Sequence, residues 1–239
     1  MKVIILAGGL GTRISEETED KPKPMVLINN KPLIWHLMNI FAKQGLKEFI
    51  IATGYKNYVI DNWITGQEKH NLLHGLSVRA LDTGLNTQTG GRIARCMKTV
   101  KGEKVLATYG DGLANVSIPA LIKFHESHRK LATVTAVRPP ARFGVLNIID
   151  GEVEHFGEKN QSDSGWINGG FFILEPEVLN YISSDDEPFE TGALPRLVKE
   201  KQLMAYQHFG FWQPMDTLRE KQDLEKHSND STPPWLNNV

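Results

Sequence analysis

A single cysteine, Cys96, leaves this chain with no internal disulfide, so packing and hydrogen bonding must hold the fold together. No histidine stands near it in sequence, and it reads as a small apolar filler in or near the core. An excess of one charge is also missing. The chain has 27 basic and 28 acidic residues, a formal net charge of -1, which excludes a nucleic-acid partner held by a basic surface. No stretch approaches the ~20 apolar residues that a membrane span needs. The opening run from Met1 to Ala7 is far shorter than a signal peptide and passes directly into Gly8-Gly9. A soluble, cytoplasmic protein is therefore expected. His125 and His128 lack the remaining ligands of a zinc site and read as helix-surface residues. Asp185-Asp186-Glu187 reads as a solvated loop.

What is present is enough for one substantial core: 239 residues, 40% hydrophobic and 23% charged. Val3 to Leu6 is a continuous apolar run ending in glycines, the pattern of a buried parallel strand. Leu33, Ile34, Leu37, Met38 and Phe41 recur at helical spacing between Pro32 and Gly45. Glu48 to Thr53, Val105 to Thr108 and Ala132 to Val137 read as further strands, and a helix follows Ser117, a plausible N-cap. Strands alternating with helices predict an α/β fold, a mixed but mostly parallel central sheet flanked by helices and Rossmann-like in outline. After Pro139-Pro140 the pattern loosens. Val145 to Ile149 and Val153 to Phe156 flank the turn signal Asp150-Gly151, Phe171 to Leu174 reads as a strand, and Leu194, Leu197 and Val198 suggest a helix after Pro195. This half is expected to be a small antiparallel extension on the same core, and residues 228–239, with Pro233-Pro234-Trp235, a loosely ordered tail.

In a parallel sheet ligands bind beyond the carboxyl ends of the strands. Two glycine-rich segments fall there: Gly8-Gly9-Leu10-Gly11-Thr12-Arg13 and Tyr109-Gly110-Asp111-Gly112. The first is neither a dinucleotide fingerprint, whose third glycine would fall at Ile14, nor a P-loop, since Thr12-Arg13 replaces Lys-Ser/Thr. Three glycines followed by an arginine still favour a loop presenting N–H groups to phosphate. In Lys21-Pro22-Lys23-Pro24-Met25 the prolines hold the backbone around Lys23 extended, presenting its ammonium at a defined place.

Taken together, Leu-Ala-Gly-Gly-x-Gly-Thr-Arg and Lys-Pro-x-Pro-Met resemble the sugar-1-phosphate nucleotidyltransferases. Over nearly the whole chain the sequence is similar to the subgroup that transfers a cytidylyl group to glucose-1-phosphate. Thr89-Gly90-Gly91-Arg92 and Phe211 to Thr217 are the segments particular to that subgroup. The resemblance implies a single domain over 1–239, with 1–138 mainly nucleotide-binding and 139–227 mainly sugar-phosphate-binding. It implies Arg13 and Lys23 as catalytic cations. Leu6, Gly8, Gly9, Gly11, Thr12, Thr89, Gly90 and Asp111 would join these two around the nucleotide. Tyr109, Gly144, Glu158, Lys159, Asn168, Gly169 and Trp212 would hold the sugar phosphate. Asp111 and Asp216 would hold Mg2+. The implied partners are CTP and α-D-glucose-1-phosphate, without nucleic acid or membrane, in a homo-oligomer. Between Tyr58 and Asp82 the chain is shorter than its relatives, and Asn160 follows Glu158-Lys159 where the family often has proline.

The chemistry suits these residues. A sugar-1-phosphate oxygen is already anionic at neutral pH, so attack on an α-phosphorus needs no general base. What it needs is cations and N–H groups that bring two polyanions together. Gly90-Gly91 is expected to let backbone groups approach a base edge, where cytosine and uracil differ in donor and acceptor. Uridylyl or thymidylyl transfer to a related sugar phosphate stays open at this point, as does a non-catalytic nucleotide-sugar sensor.

Overall fold

The computed structural model describes residues 1–70, 72–139, 144–149, 152–158 and 165–237, with the backbone alone described at 68–70, 144–149 and 153–158. In chain order the first half carries β1 (Lys2–Leu6), the short α1 (Ser15–Thr18), β2 (Leu27–Ile28), β3 (Lys31–Pro32), α2 (Leu33–Lys43), β4 (Glu48–Thr53), α3 (Asn57–His70), β5 (Ser77–Asp82), α4 (Thr89–Lys98), β6 (Val105–Tyr109), β7 (Gly112–Ala114), α5 (Ile118–His128) and β8 (Ala132–Val137). The second carries β9 (Gly144–Ile149), β10 (Glu152–Glu158), β11 (Ile167–Leu174), α6 (Ala193–Lys199), β12 (Leu203–Gln207), β13 (Trp212–Pro214) and α7 (Leu218–Ser228).

Seven strands form the central sheet in the order β12-β8-β11-β6-β1-β4-β5. Within it β11 alone runs antiparallel, against β6 and β8. The core follows from side-chain alternation along β1. Val3 and Ile5 point into one apolar layer with Leu33, Leu37 and Phe41 of α2, whereas Ile4 and Leu6 point into the other with Ile93 and Met97 of α4. Cys96 lies in that second layer, where burial pushes its thiol up to about 12, consistent with the filler role. Helix α2 ends as its sequence predicts: Gly45 takes a positive φ, and the Leu46 N–H reaches back to the Phe41 carbonyl at 3.1 Å. Ser117 caps α5, its hydroxyl accepting from the Ala120 N–H.

Several expectations change in three dimensions. The second half is not only an antiparallel extension, because β11 and β12 complete the main sheet; the hairpin of β9 and β10 is the separate antiparallel piece, and its Asp150-Gly151 turn lies outside the described residues. Pro195 sits inside the first turn of α6, where its missing N–H costs nothing, rather than before the helix. Strand β5 closes the sheet edge against β4. His125 is buried, its Nδ1 hydrogen-bonded to Thr133 Oγ1 (2.7 Å) and its Nε2 donating to Glu175 Oε1 (3.1 Å), so it belongs to an internal network and not to a helix surface. Asp185 and Glu187 are paired with Arg95 and Arg196.

The tail differs most from expectation. Trp235 is fully buried, edge-on to His36 at 5.6 Å and tilted against Phe211 at 6.1 Å between ring centroids. A large apolar side chain inserted between α2 and the segment before β13 anchors the Pro234–Leu236 turn to the core. Trp235→Ala should therefore cost about 3–5 kcal/mol of stability. Urea unfolding measures this, and a loss below about 1 kcal/mol would restore the loose tail.

Candidate active site

The carboxyl edge of β1 and β6 gathers the site. Gly110 follows β6 and donates its N–H to the Leu6 carbonyl at 2.9 Å. A Cβ on Gly110 would lie 2.5 Å from that oxygen and 2.8 Å from Pro24 Cγ, so only glycine lets β1, the Lys23–Met25 turn and β6 converge. Asp111 follows at once. Its carbonyl accepts the Met215 N–H at 2.7 Å, and β13 pairs with β7 in a register that sets Pro214 opposite Gly112. Asp216 is thereby brought beside Asp111 from more than a hundred residues away in sequence.

Lys23 lies between them. It is 8% exposed, and its Nζ donates to Asp111 Oδ2 at 2.8 Å and to Asp216 Oδ1 at 2.5 Å. Arg13 Nη1 meets the other Asp216 oxygen at 2.6 Å, but its side chain is 73% exposed, so that pair is screened by solvent. Two carboxylates and two cations thus form one chain across the loop. Gly11 opens the Thr12–Ile14 3₁₀ turn with a left-handed φ of 68°. Gly9 and Thr12 are exposed on the loop. Gly8 lies beneath it and Leu6 in the core, so each offers a ligand only its backbone. Among the described residues no cluster of three or more His, Cys, Asp or Glu side chains forms a metal site.

On the other side of Asp111, Tyr109, Asn168, Gly169 and Trp212 come together. The β11 ladder shifts register between Asn168 and Phe172. Gly170 takes a φ of 82°, and a Cβ there would strike the Tyr109 ring at 2.5 Å. The bulge turns the Asn168 amide onto the Tyr109 hydroxyl at 3.0 Å, and Trp212 Nε1 donates to the Gly169 carbonyl at 2.8 Å. Gly144 and Glu158 oppose each other in the β9–β10 hairpin. Lys159 and the Pro140-Ala141-Arg142-Phe143 part of the resemblance lie outside the described residues.

Thr89 and Gly90 stand at the start of α4. A Cβ on Gly90 would sit 2.6 Å from the Glu187 carbonyl oxygen, and one on Gly91 would sit 2.6 Å from Asp185 Cα. The Gly90 N–H already donates to Glu187 O at 3.2 Å. These glycines are small enough for α4 to pack on the 185–189 segment, a packing demand the sequence does not reveal. Thr89 donates to Glu190 Oε2 at 2.7 Å and accepts the Phe189 N–H. Glu190 also accepts from the Tyr109 hydroxyl, so one carboxylate joins the start of α4 to the end of β6. Burial, reinforced by the Glu190 charge, holds the Tyr109 phenol far above its ordinary range and therefore protonated. Sequence reading did not single out Glu190: an isolated acid in a loop has no periodic or spacing signal.

A parallel sheet whose carboxyl edge carries a glycine loop, an arginine, a bridging lysine and two aspartates is the architecture of a nucleotide-handling transferase. Residues 2–223 match the nucleotidyl transferase family, and the chain belongs to it. It is 45% identical to the glucose-1-phosphate cytidylyltransferase of Salmonella typhimurium over 98% of both chains. A probable glucose-1-phosphate cytidylyltransferase of Bacillus subtilis is 39% identical over 98% of this chain and 99% of its own. Among solved structures, HddC from Yersinia pseudotuberculosis complexed with GMP-PN superposes with a TM-score of 0.71 at 26% identity, covering 94% of this chain and 98% of that one.

The Tyr109–Glu190 contact should be measurable as coupling. Glu190→Ala leaves two hydroxyl donors without their acceptor, a loss of about 1–3 kcal/mol for each that stays buried. In a double-mutant cycle with Tyr109→Phe, the two losses should fall short of additivity by about 1 kcal/mol. Strict additivity in urea unfolding would rule the contact out.

Proposed function

We propose that this chain transfers the cytidylyl group of CTP to α-D-glucose-1-phosphate, giving CDP-glucose and pyrophosphate. The reading is carried by one observation: Lys23 stands between Asp111 and Asp216 at the mouth of the glycine loop, with Arg13 on the same carboxylates. Near-complete similarity to glucose-1-phosphate cytidylyltransferases supports the choice of base and sugar.

The loop amides and Arg13 would receive the triphosphate, and Lys23 would leave its carboxylates to neutralise phosphate charge. Tyr109, Asn168, Gly169 and Trp212 would orient the sugar phosphate so that its anionic oxygen faces the α-phosphorus in line. Asp111 and Asp216 suit a magnesium ion: two hard oxygen donors, both within hydrogen-bond reach of one Nζ atom, match an ion that takes one or two carboxylates and completes its shell with water and phosphate. When bound, that ion supplies positive charge to the phosphate oxygens. No proton has to be removed from the nucleophile, so no general base is assigned.

Turnover is expected to require a divalent metal, and Asp111→Asn and Asp216→Asn should each lose most kcat while staying folded. Normal rates in either variant, or in excess chelator, would remove the two aspartates from the chemistry. The substrate assignment is checked by kcat/KM for CTP, UTP and dTTP, each with glucose-1-phosphate and then with other sugar-1-phosphates. CTP with glucose-1-phosphate should be preferred by at least about tenfold, the net worth of one hydrogen bond. A preference for UTP or dTTP overturns the base, and failure of glucose-1-phosphate with every triphosphate overturns the acceptor.

A further inference from the structure

Arg92, the last residue of the Thr89-Gly90-Gly91-Arg92 segment, is 4% exposed, and its guanidinium lies directly beneath the glycine loop. Nη1 donates to the Thr53 carbonyl (2.9 Å), Thr83 Oγ1 (2.7 Å) and the Gly84 carbonyl (2.9 Å); Nη2 donates to the carbonyls of Gly8 (3.0 Å) and Leu85 (3.2 Å). A Cβ on Gly8 would fall 2.0 Å from Nη1 and one on Gly54 2.5 Å from it, so both glycines make room for the cation. Every one of these acceptors is neutral. Among the described residues no carboxylate makes an ion pair with Arg92, and Asp82 acts on it only through space.

The peptides of the chain are all trans, and in a trans peptide the C=O and N–H bonds point in opposite directions. Drawing the Gly8, Gly84 and Leu85 oxygens onto one buried cation therefore turns the N–H groups of Gly9, Leu85 and Asn86 away from it. Those three residues are exposed, and among the described residues none of the three N–H groups donates a hydrogen bond within the protein. The peptide dipoles then stand between the cation and solvent with their positive ends outward. Outward amides with an uncompensated charge behind them are the elements from which anion-binding concavities are built.

We propose that Arg92 is a positioning residue for the polyphosphate of the nucleotide: it orders two loops so that their free amides face the phosphates, and it sets a fixed positive charge behind them. It touches no substrate. Arginine is required because one planar fork must reach three separate segments at once, which a lysine ammonium cannot span. The proposal rests on the nucleotidyl-transfer reading but not on the identity of the base.

Titration calorimetry of the full chain with inorganic tripolyphosphate, CTP and cytidine, at constant magnesium, tests it. Arg92→Met should weaken tripolyphosphate and CTP by roughly tenfold or more, the worth of a charge-assisted contact, and cytidine by clearly less. Arg92→Lys, which keeps the charge and loses the fork, should fall between. A merely structural role would lower thermal stability and weaken the three ligands alike, and that result overturns the proposal. So does wild-type tripolyphosphate affinity in folded Arg92→Met. Should the Arg92 variants not fold, Gly9→Pro removes one outward N–H at an exposed position where an added Cβ meets nothing within 4 Å. Unchanged tripolyphosphate affinity there also overturns it. If the wild-type chain binds neither tripolyphosphate nor CTP, the nucleotidyl-transfer reading falls, and the role of Arg92 with it.

Discussion

The ammonium of Lys23 between Asp111 and Asp216 is the interaction on which the rest of the site depends. Two carboxylates facing each other at a partly buried position repel, and a cation between them is what makes their approach tolerable. The three residues come from a proline-framed turn, the end of a central strand and the end of a short strand near the carboxyl terminus. Their meeting requires Gly110 to admit Pro24, and β13 to pair with β7 in the observed register. The same electrostatic demand makes the arrangement exchangeable. In the proposed reaction a lysine and an arginine that neutralise aspartates in the free protein would turn to phosphate as a divalent ion took over the carboxylates.

A second cation, Arg92, holds the scaffold behind this front. Lys23 sits at the mouth of the glycine loop and can change partners. Arg92 sits under the loop, saturated by carbonyls, and is fixed. The division follows from donor geometry. A compact ammonium on a flexible stem can swing between oxygens, whereas a planar guanidinium with five N–H groups locks the segments it joins. Glu190 plays a comparable joining role between Thr89 and Tyr109. The start of α4 and the end of β6 are therefore mechanically connected through one carboxylate.

Placing β11 antiparallel within an otherwise parallel sheet has a consequence for the site. Its amino-terminal end lies at the same edge as the carboxyl ends of β6 and β8, so the bulge at Asn168–Gly170 delivers an amide and a carbonyl next to Tyr109. A parallel strand in that place would present its carboxyl end, and Asn168 would lie at the opposite edge. The β9–β10 hairpin forms outside the main sheet, between β8 and β11 in sequence.

Much of this was determined by the sequence alone, where the information is local. Apolar runs and helical spacing set β1, α2, β4, α5 and β8, because burial of a periodic apolar face does not depend on distant partners. The glycine loop, Lys23, Asp111 and Asp216 stood out as candidates through their chemistry and their resemblance to a family, although Lys23 opens a 3₁₀ turn and not the extended backbone that its flanking prolines suggested. Tertiary structure decided whatever required two distant segments to meet. Trp235 follows two prolines and looks like part of a loose tail, yet a pocket between α2 and Phe211 buries it. Gly90-Gly91 carries no sequence sign of the 185–189 segment that packs against it. Glu190 has no local signature, and Arg92, though it ends a recognisable segment, shows its role only in what it faces, because a lone charge is defined by its partners. For Arg92 those faces are the carbonyls of Gly8, Thr53, Gly84 and Leu85, which share no sequence pattern and become one coordination shell only when β1, β4 and β5 lie side by side.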